Sequence, residues 1–244
     1  MKKKIVNKDV HITVYSPGWW FYVVMTAAGL IVLTVYGRKL DYDQRINLIL
    51  YLSIFELILL RIYKHSLKYI RTDYNYYNEL PCYLCNQSTI MCILAALLRN
   101  SQIMSYCFSI GTFGALLAVF MPDSHNRDQL FFSKQAVGFY GYHGLLIITC
   151  LSFFTMGVYE PVLTDSFSTM LIVIILVCIA HIMNKYLRNK GLNPTANYDY
   201  TIDPEIDLLK KLYSFNPKEL FYLLPILPVF GLISFVLLLI CKYL

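Results

Sequence analysis

A chain of 244 residues that is 57% hydrophobic and 15% charged, with mean hydropathy +0.53, is too apolar for one water-soluble domain. Its net charge of +6 comes from basic residues scattered over connecting segments, a pattern that argues against a nucleic-acid partner. Seven cysteines, an odd number with Cys92, Cys107, Cys150, Cys178 and Cys241 inside apolar runs, argue against a disulfide framework.

A helical crossing needs about twenty mostly apolar residues, and seven runs approach that length: 19–36, 46–62, 80–98, 102–121, 139–158, 165–187 and 219–241. The expectation is an all-α polytopic membrane protein, a seven-helix transmembrane bundle forming one integral domain over 1–244, without an internal repeat. The opening MKKKIVNKDV has the basic character of a signal peptide. The run behind it is about eighteen residues long and ends in Gly37-Arg38-Lys39, so an uncleaved first span is expected. Lys and Arg divide unevenly between the two sides: four before the first run, four in 61–79, two in 122–138 and six in 185–218, against five on the other side. The positive-inside rule then places the N-terminus in the cytosol and the C-terminus outside. Trp19, Trp20 and Tyr22 fit an aromatic belt at the inner surface.

The second run carries Glu56 in IFELILL, an ionisable group that costs about 3 kcal/mol in lipid unless it faces the bundle interior or a partner. The third opens with LPCYLCNQSTIM, and Cys85 lies about one turn beyond Pro81, roughly 6 Å along the axis. His143 in FYGYHGLL sits a similar distance past Gly138, and His181 precedes the cytosolic end of the sixth run near Leu187. The three reactive side chains thus share the cytosolic leaflet. GLNPTANYDYTIDP follows the sixth run and is placed to fold over the inner mouth. His11, His65 and His125 fall in expected loops, where solvation explains them.

A thiol reacts as thiolate, and a free one with pKa about 8.5 is mostly protonated at cytosolic pH. A helix N-terminus favours the anion and an imidazole can take the proton, so Cys85 with His143 meets both needs on paper. Gly141 and Gly144 would let another helix approach, and Asn86, Gln87, Ser88 and Thr89 could donate hydrogen bonds to an oxyanion. Helix-to-helix hydrogen bonding is the ordinary reason for such residues. Ser88, three residues on from Cys85, shares its face. Cys82, three residues before, shares that face too, which leaves open a redox pair or, with both histidines, a zinc set. The ligands would come from three separate runs, so no metal or other cofactor is expected.

Pro81-Cys82-Tyr83-Leu84-Cys85 resembles the Cys-x-x-Cys segment of the quinone-reducing disulfide-bond formation proteins of the B type. The likeness ends there, because this chain has Ser88 and Thr89 where an acid and an arginine follow, and no second cysteine pair in an outside loop. A longer resemblance joins LPCYLCNQSTIM, Pro122-Asp123, His143-Gly144 and Asn197-Tyr198-Asp199-Tyr200, in order across most of the chain. In these motifs it resembles the transmembrane protein 164 family with its bacterial YwaF-like members. The resemblance implies acyl transfer onto lysophospholipid, with an essential cysteine and histidine corresponding to Cys85 and His143. Two departures stand out: bacterial relatives often carry histidine where this chain has Tyr83, and Cys82 is outside the pattern.

The expected function is therefore a cell-membrane acyltransferase working in the cytosolic leaflet on phospholipid and lysophospholipid. Cys85 and His143 would be catalytic, with Glu56, Ser88, His181, Asn197 and Tyr198 as the supporting set. A transporter or binding protein with a polar intramembrane path, and a thiol-disulfide oxidoreductase using Cys82 and Cys85, stay open as alternatives.

Overall fold

The computed structural model describes residues 11–69, 74–122 and 129–243; Lys2, Lys3, Lys4, Lys8, Arg71, Asp123, His125 and Arg127 lie outside them. The described chain is helical apart from one antiparallel pair of two-residue strands, His11–Ile12 with Gln129–Leu130. Its helices are α1 (Pro17–Gly37), α2 (Tyr42–Ser66), α3 (Leu84–Leu98), α4 (Ser101–Tyr106), α5 (Thr112–Phe120), α6 (Lys134–Thr155), α7 (Asp165–Asn189), α8 (Asp207–Phe215) and α9 (Leu227–Tyr243). A π-helical turn over Cys107–Gly111 joins α4 and α5 into one rod.

Local chemistry sets four of the starts. Ser16, Asn100 and Ser133 each accept a hydrogen bond from the amide three residues on, capping α1, α4 and α6. Asp41 and Gln44 form a reciprocal capping box on α2. Helix α3 has no such device, because its N-cap is Tyr83 and offers no side-chain hydrogen bond.

Among the described residues, six helical segments are long and apolar enough to cross a membrane: Pro17–Gly37, Tyr42–Tyr69, Ser101–Phe120, Lys134–Thr155, Asp165–Asn189 and Phe221–Tyr243. The expected third span, 80–98, shortens to the 15 residues of α3. At 1.5 Å per residue it covers about 22 Å, against a hydrocarbon core of about 30 Å. Both limits have causes. Cys82 closes a turn on the Leu80 carbonyl, so the helix starts only after Pro81, and Arg99 stops it by taking a left-handed conformation at φ 50°. His65, expected in a loop, belongs instead to the last turn of α2.

The Ser101–Phe120 rod and α6 form the buried centre, whereas α1 and the last span are mostly exposed, as lipid-facing helices should be. Helix α6 packs against α1, α2 and α5, and α7 packs against α4 and α9. Gly144 is the reason α1 comes close, since a methyl there would collide with Thr26 Oγ1. Gly141, expected to act likewise, faces open space.

Polar contacts define two ends. At one, Arg99 pairs with Asp43 at 2.7 Å and the Arg45 guanidinium donates to the Met156 carbonyl at 2.8 Å. At the other, Trp19 Nε1 donates to the Val119 carbonyl at 2.9 Å, and Lys64 pairs with Glu79 at 2.6 Å. That second end gathers the start of α1, the close of α2, the starts of α3 and α6 and the loop after α7. There the candidate residues lie.

Candidate functional site

A cavity of about 770 Å³ opens at this end. Cys85 and Asn86 reach it from α3, His143 with Tyr142 and Phe139 from α6, and Leu60, Tyr63 and Lys64 from α2. Helix α5 supplies Gly114, Leu117 and Ala118, with Met121 just past its end, and the loop after α7 supplies Asn197, Tyr198 and Glu205. The two leading candidates therefore line one space. Gly114 matters to it: a methyl built there would sit 3.6 Å from Cys85 Sγ, so its absence leaves room beside the sulfur. The lining mixes two chemistries. Leu60, Gly114, Leu117, Ala118, Met121 and Phe139 are the apolar part of the lining; Lys64, Glu79, Asn86, Asn197 and Glu205 are the polar part.

Cys85 occupies the second position of α3, nearer the helix start than the expected full turn, because the helix opens at Leu84. The backbone on either side of it is held. The Leu84 amide donates to Asp199 Oδ1 at 2.9 Å, and the Cys85 carbonyl accepts from the Tyr142 hydroxyl at 3.0 Å. Behind Tyr142 runs a buried chain: its hydroxyl lies 2.9 Å from Thr89 Oγ1, which donates to Glu56 Oε1 at 2.5 Å. Glu56 is wholly buried, so this intramembrane acid faces the bundle interior, as its cost in lipid requires. It supports Tyr142 and the Cys85 carbonyl, and it is not among the cavity-lining residues.

His143 is nearly buried, with Nδ1 2.8 Å from the Phe139 carbonyl. A carbonyl oxygen only accepts, so Nδ1 carries the proton of that bond, and in the neutral ring Nε2 holds the lone pair. The backbone thereby sets the tautomer that a base needs.

The expected supporting residues split. Ser88 lies away from the cavity, bonded to the Leu84 carbonyl and to Tyr106, both at 2.9 Å. Three residues along a helix is a rotation of about 300°, enough to turn Ser88 toward α4. His181 sits 3.2 Å from Thr201 Oγ1 and pins the loop after α7. Asn197 and Tyr198 do line the cavity, chiefly as clamps. Asn197 Nδ2 donates at 2.8 Å to both the Asp203 carbonyl and Glu205 Oε1, and the Tyr198 hydroxyl donates to the Tyr77 carbonyl. Of the polar run after Cys85, Asn86 alone reaches the cavity; Gln87 Nε2 donates to the Cys82 carbonyl at 2.9 Å.

Cys82 does not share a face with Cys85. It precedes the helix, where the i to i+3 rule fails, and packs with Ala180, Leu187, Ala196 and Tyr198. Burial, with the Asp199 carboxyl beside it, pushes its thiol up to about 11, which suits an inert side chain. Both cysteines are free thiols. Among the described residues, no three His, Cys, Asp or Glu side chains gather as metal ligands.

Sequence reasoning passed over Asn184 and the role of Asp199. Asn184 Nδ2 donates to the Tyr198 carbonyl and to Thr201 Oγ1, both at 2.9 Å, and its Oδ1 accepts from the Tyr198 amide at 2.8 Å. It holds the loop that brings Asp199 to α3. The one available signal was an amide inside an apolar helix, in HIMNKY.

The TMEM164 family model matches residues 14–242. No curated protein and no solved structure matches the chain. With six helices suited to crossing a membrane and a family match over nearly its full length, the chain is a multi-pass membrane protein and belongs to the TMEM164 family.

Proposed function

We propose that this protein is a membrane acyltransferase that moves a fatty acyl chain from a phospholipid to a lyso-lipid through a thioester on Cys85. The observation that carries the reading is the single cavity lined by both Cys85 and His143, with apolar and polar side chains together in its lining. An amphiphile fits such a space: its acyl chain along Leu117, Ala118 and Met121, its headgroup toward Lys64, Glu79 and Glu205. In this reading α3 is a seventh, short span, and the N-terminus and the cavity face the cytosol, in keeping with the uneven division of Lys and Arg.

The chemistry runs in two balanced steps. His143 Nε2 takes the proton of the Cys85 thiol as Sγ attacks the ester carbonyl, and the same proton goes to the departing lyso-lipid alkoxide. The acyl chain stays on sulfur. The acceptor hydroxyl then gives its proton to Nε2 and attacks the thioester, and the leaving thiolate recovers that proton. Asn86, a buried amide one residue from the nucleophile, is the side chain suited to donate to the oxyanion of either step.

Intact-protein mass spectrometry after incubation with phosphatidylcholine vesicles tests this. The expected result is a hydroxylamine-sensitive acyl mass that maps to Cys85 and is absent from Cys85→Ala. A chain that stays unmodified, or an adduct on another cysteine, would overturn the assignment.

A further inference from the structure

Helix α3, like α7 and α8, opens without a side-chain cap from its own N-cap residue, but unlike them it borrows one from a distant carboxylate. The first amides of any helix lack partners within it, and a Ser, Thr, Asp or Asn at the N-cap usually accepts from one of them. Helices α1, α2, α4 and α6 follow that rule through Ser16, Asp41, Asn100 and Ser133. The N-cap position of α3 is Tyr83, whose side chain lines the cavity instead. The missing acceptor comes from 115 residues away: Asp199 Oδ1 accepts from the Leu84 amide at 2.9 Å.

Delivering that carboxyl costs backbone strain. Asp199 and Tyr200 are successive non-glycine residues with φ of 52° and 55°, in the left-handed region that favours glycine. Such strain persists only where the surroundings over-determine it. Here Asn184, the contact of His181 with Thr201, the Tyr198 clamp on Tyr77 and the bond from the Tyr222 hydroxyl to the Tyr200 carbonyl all fix the turn. A further cost is the second oxygen, Oδ2, which is buried without a hydrogen bond among the described residues. A cap of purely local use would need none of this, because Asp or Ser at position 83 would serve.

We propose that Asp199 is a positioning residue for Cys85: from a strained turn after α7 it caps the first turn of α3, fixing the direction in which the sulfur meets the cavity while leaving position 83 for the cavity wall. Its place in acyl transfer rests on the function proposed above. Its grip on Cys85 does not.

The full chain in detergent micelles tests both parts. Two readouts are taken: alkylation of Cys85 by N-ethylmaleimide, mapped peptide by peptide with Cys178 and Cys241 as internal controls, and acylation of Cys85 from phosphatidylcholine. In Asp199→Ala the first turn frays, so alkylation of Cys85 alone should rise about threefold or more while acylation falls about tenfold, on the scale of a lost cap. Asp199→Asn keeps an acceptor oxygen and should restore both. Leu84→Pro removes the donor instead; proline is tolerated at the first helical position, and Tyr83 at φ −74°, ψ 145° already has the backbone that a following proline requires. It should mimic Asp199→Ala, and the double variant should lose nothing further. Should Asp199→Ala fail to fold, Leu84→Pro still carries the comparison. Alkylation and acylation both within about twofold of the starting protein in these variants, or losses that multiply in the double, would overturn the proposal. A starting protein that takes no acyl chain would sink the proposed function, while the alkylation contrast would still decide what Asp199 does.

Discussion

Cys85 and Cys92 stand seven residues apart on α3, roughly 10 Å along one axis, yet they live in opposite surroundings. Cys92 is wholly buried, with its sulfur 3.5 Å from that of Cys150, and Cys107 completes a closed group of three thiols. Cys85 borders a cavity. The rod beside them repeats the contrast three residues apart. A methyl on Gly111 would lie 2.9 Å from Cys150 Sγ, tighter than real contacts allow, whereas one on Gly114 would lie an ordinary 3.6 Å from Cys85 Sγ. What separates a packing thiol from a candidate nucleophile in this bundle is the space in front of it.

The sharpest way to break the comparison is His143→Asn. If the cavity thiol depends on that base, single-turnover thioester formation should fall by about 10²- to 10⁴-fold while the buried group is untouched. Next comes Gly114→Leu, which fills the room beside Cys85. Misplacing a reacting atom by about 1 Å costs up to roughly 10²-fold, so acylation measured from vesicles should drop by about one to two orders of magnitude with the fold kept.

The closed region answers in stability. Gly111→Ala gains about 0.5–1 kcal/mol of helix propensity but overpacks against Cys150 at about 1–3 kcal/mol, so the net effect is a loss of about 1 kcal/mol. Thermal unfolding should show it, Cys150→Ala should relieve it, and Cys85 acylation should not change.

A pH series sharpens the open end. Burial pushes the Asp199 carboxyl up from 3.8 to about 7, against the pull of the Leu84 amide. The folded chain thus holds that proton more tightly than the unfolded one. The stability from this group is complete below pH 3.8 and is lost as pH rises through about 7. Thermal midpoints of Asp199→Asn should lack this decline. The smallest effect is expected from Cys82→Ala, which should leave thioester formation within about twofold, because that sulfur is packed and its thiol is protonated at neutral pH. A large loss there would favour the redox alternative.

Much of this arrangement was legible in the residues. Hydropathy marks where helices run, and at a fixed rise per residue it also gives depth, which is why Cys85, His143 and His181 were expected in one layer and are found at one end. The intramembrane Glu56 was expected to face inward, and it does. Depth says nothing about rotation. Ser88 turns to Tyr106, His181 to Thr201, and Cys82 leaves the helix altogether.

The sequence by itself determined the class of protein, the positions of most spans and the end of the bundle where the reactive side chains collect, because those follow from local apolar runs and helix geometry. Only the tertiary structure decided which side chains look into the cavity, that the cap of α3 arrives from Asp199, and that three thiols close on one another below Cys85. The reason is physical. The rotation of a helix about its axis, and the approach of a loop to another helix's first turn, are set by packing between segments about a hundred residues apart, which no local pattern records.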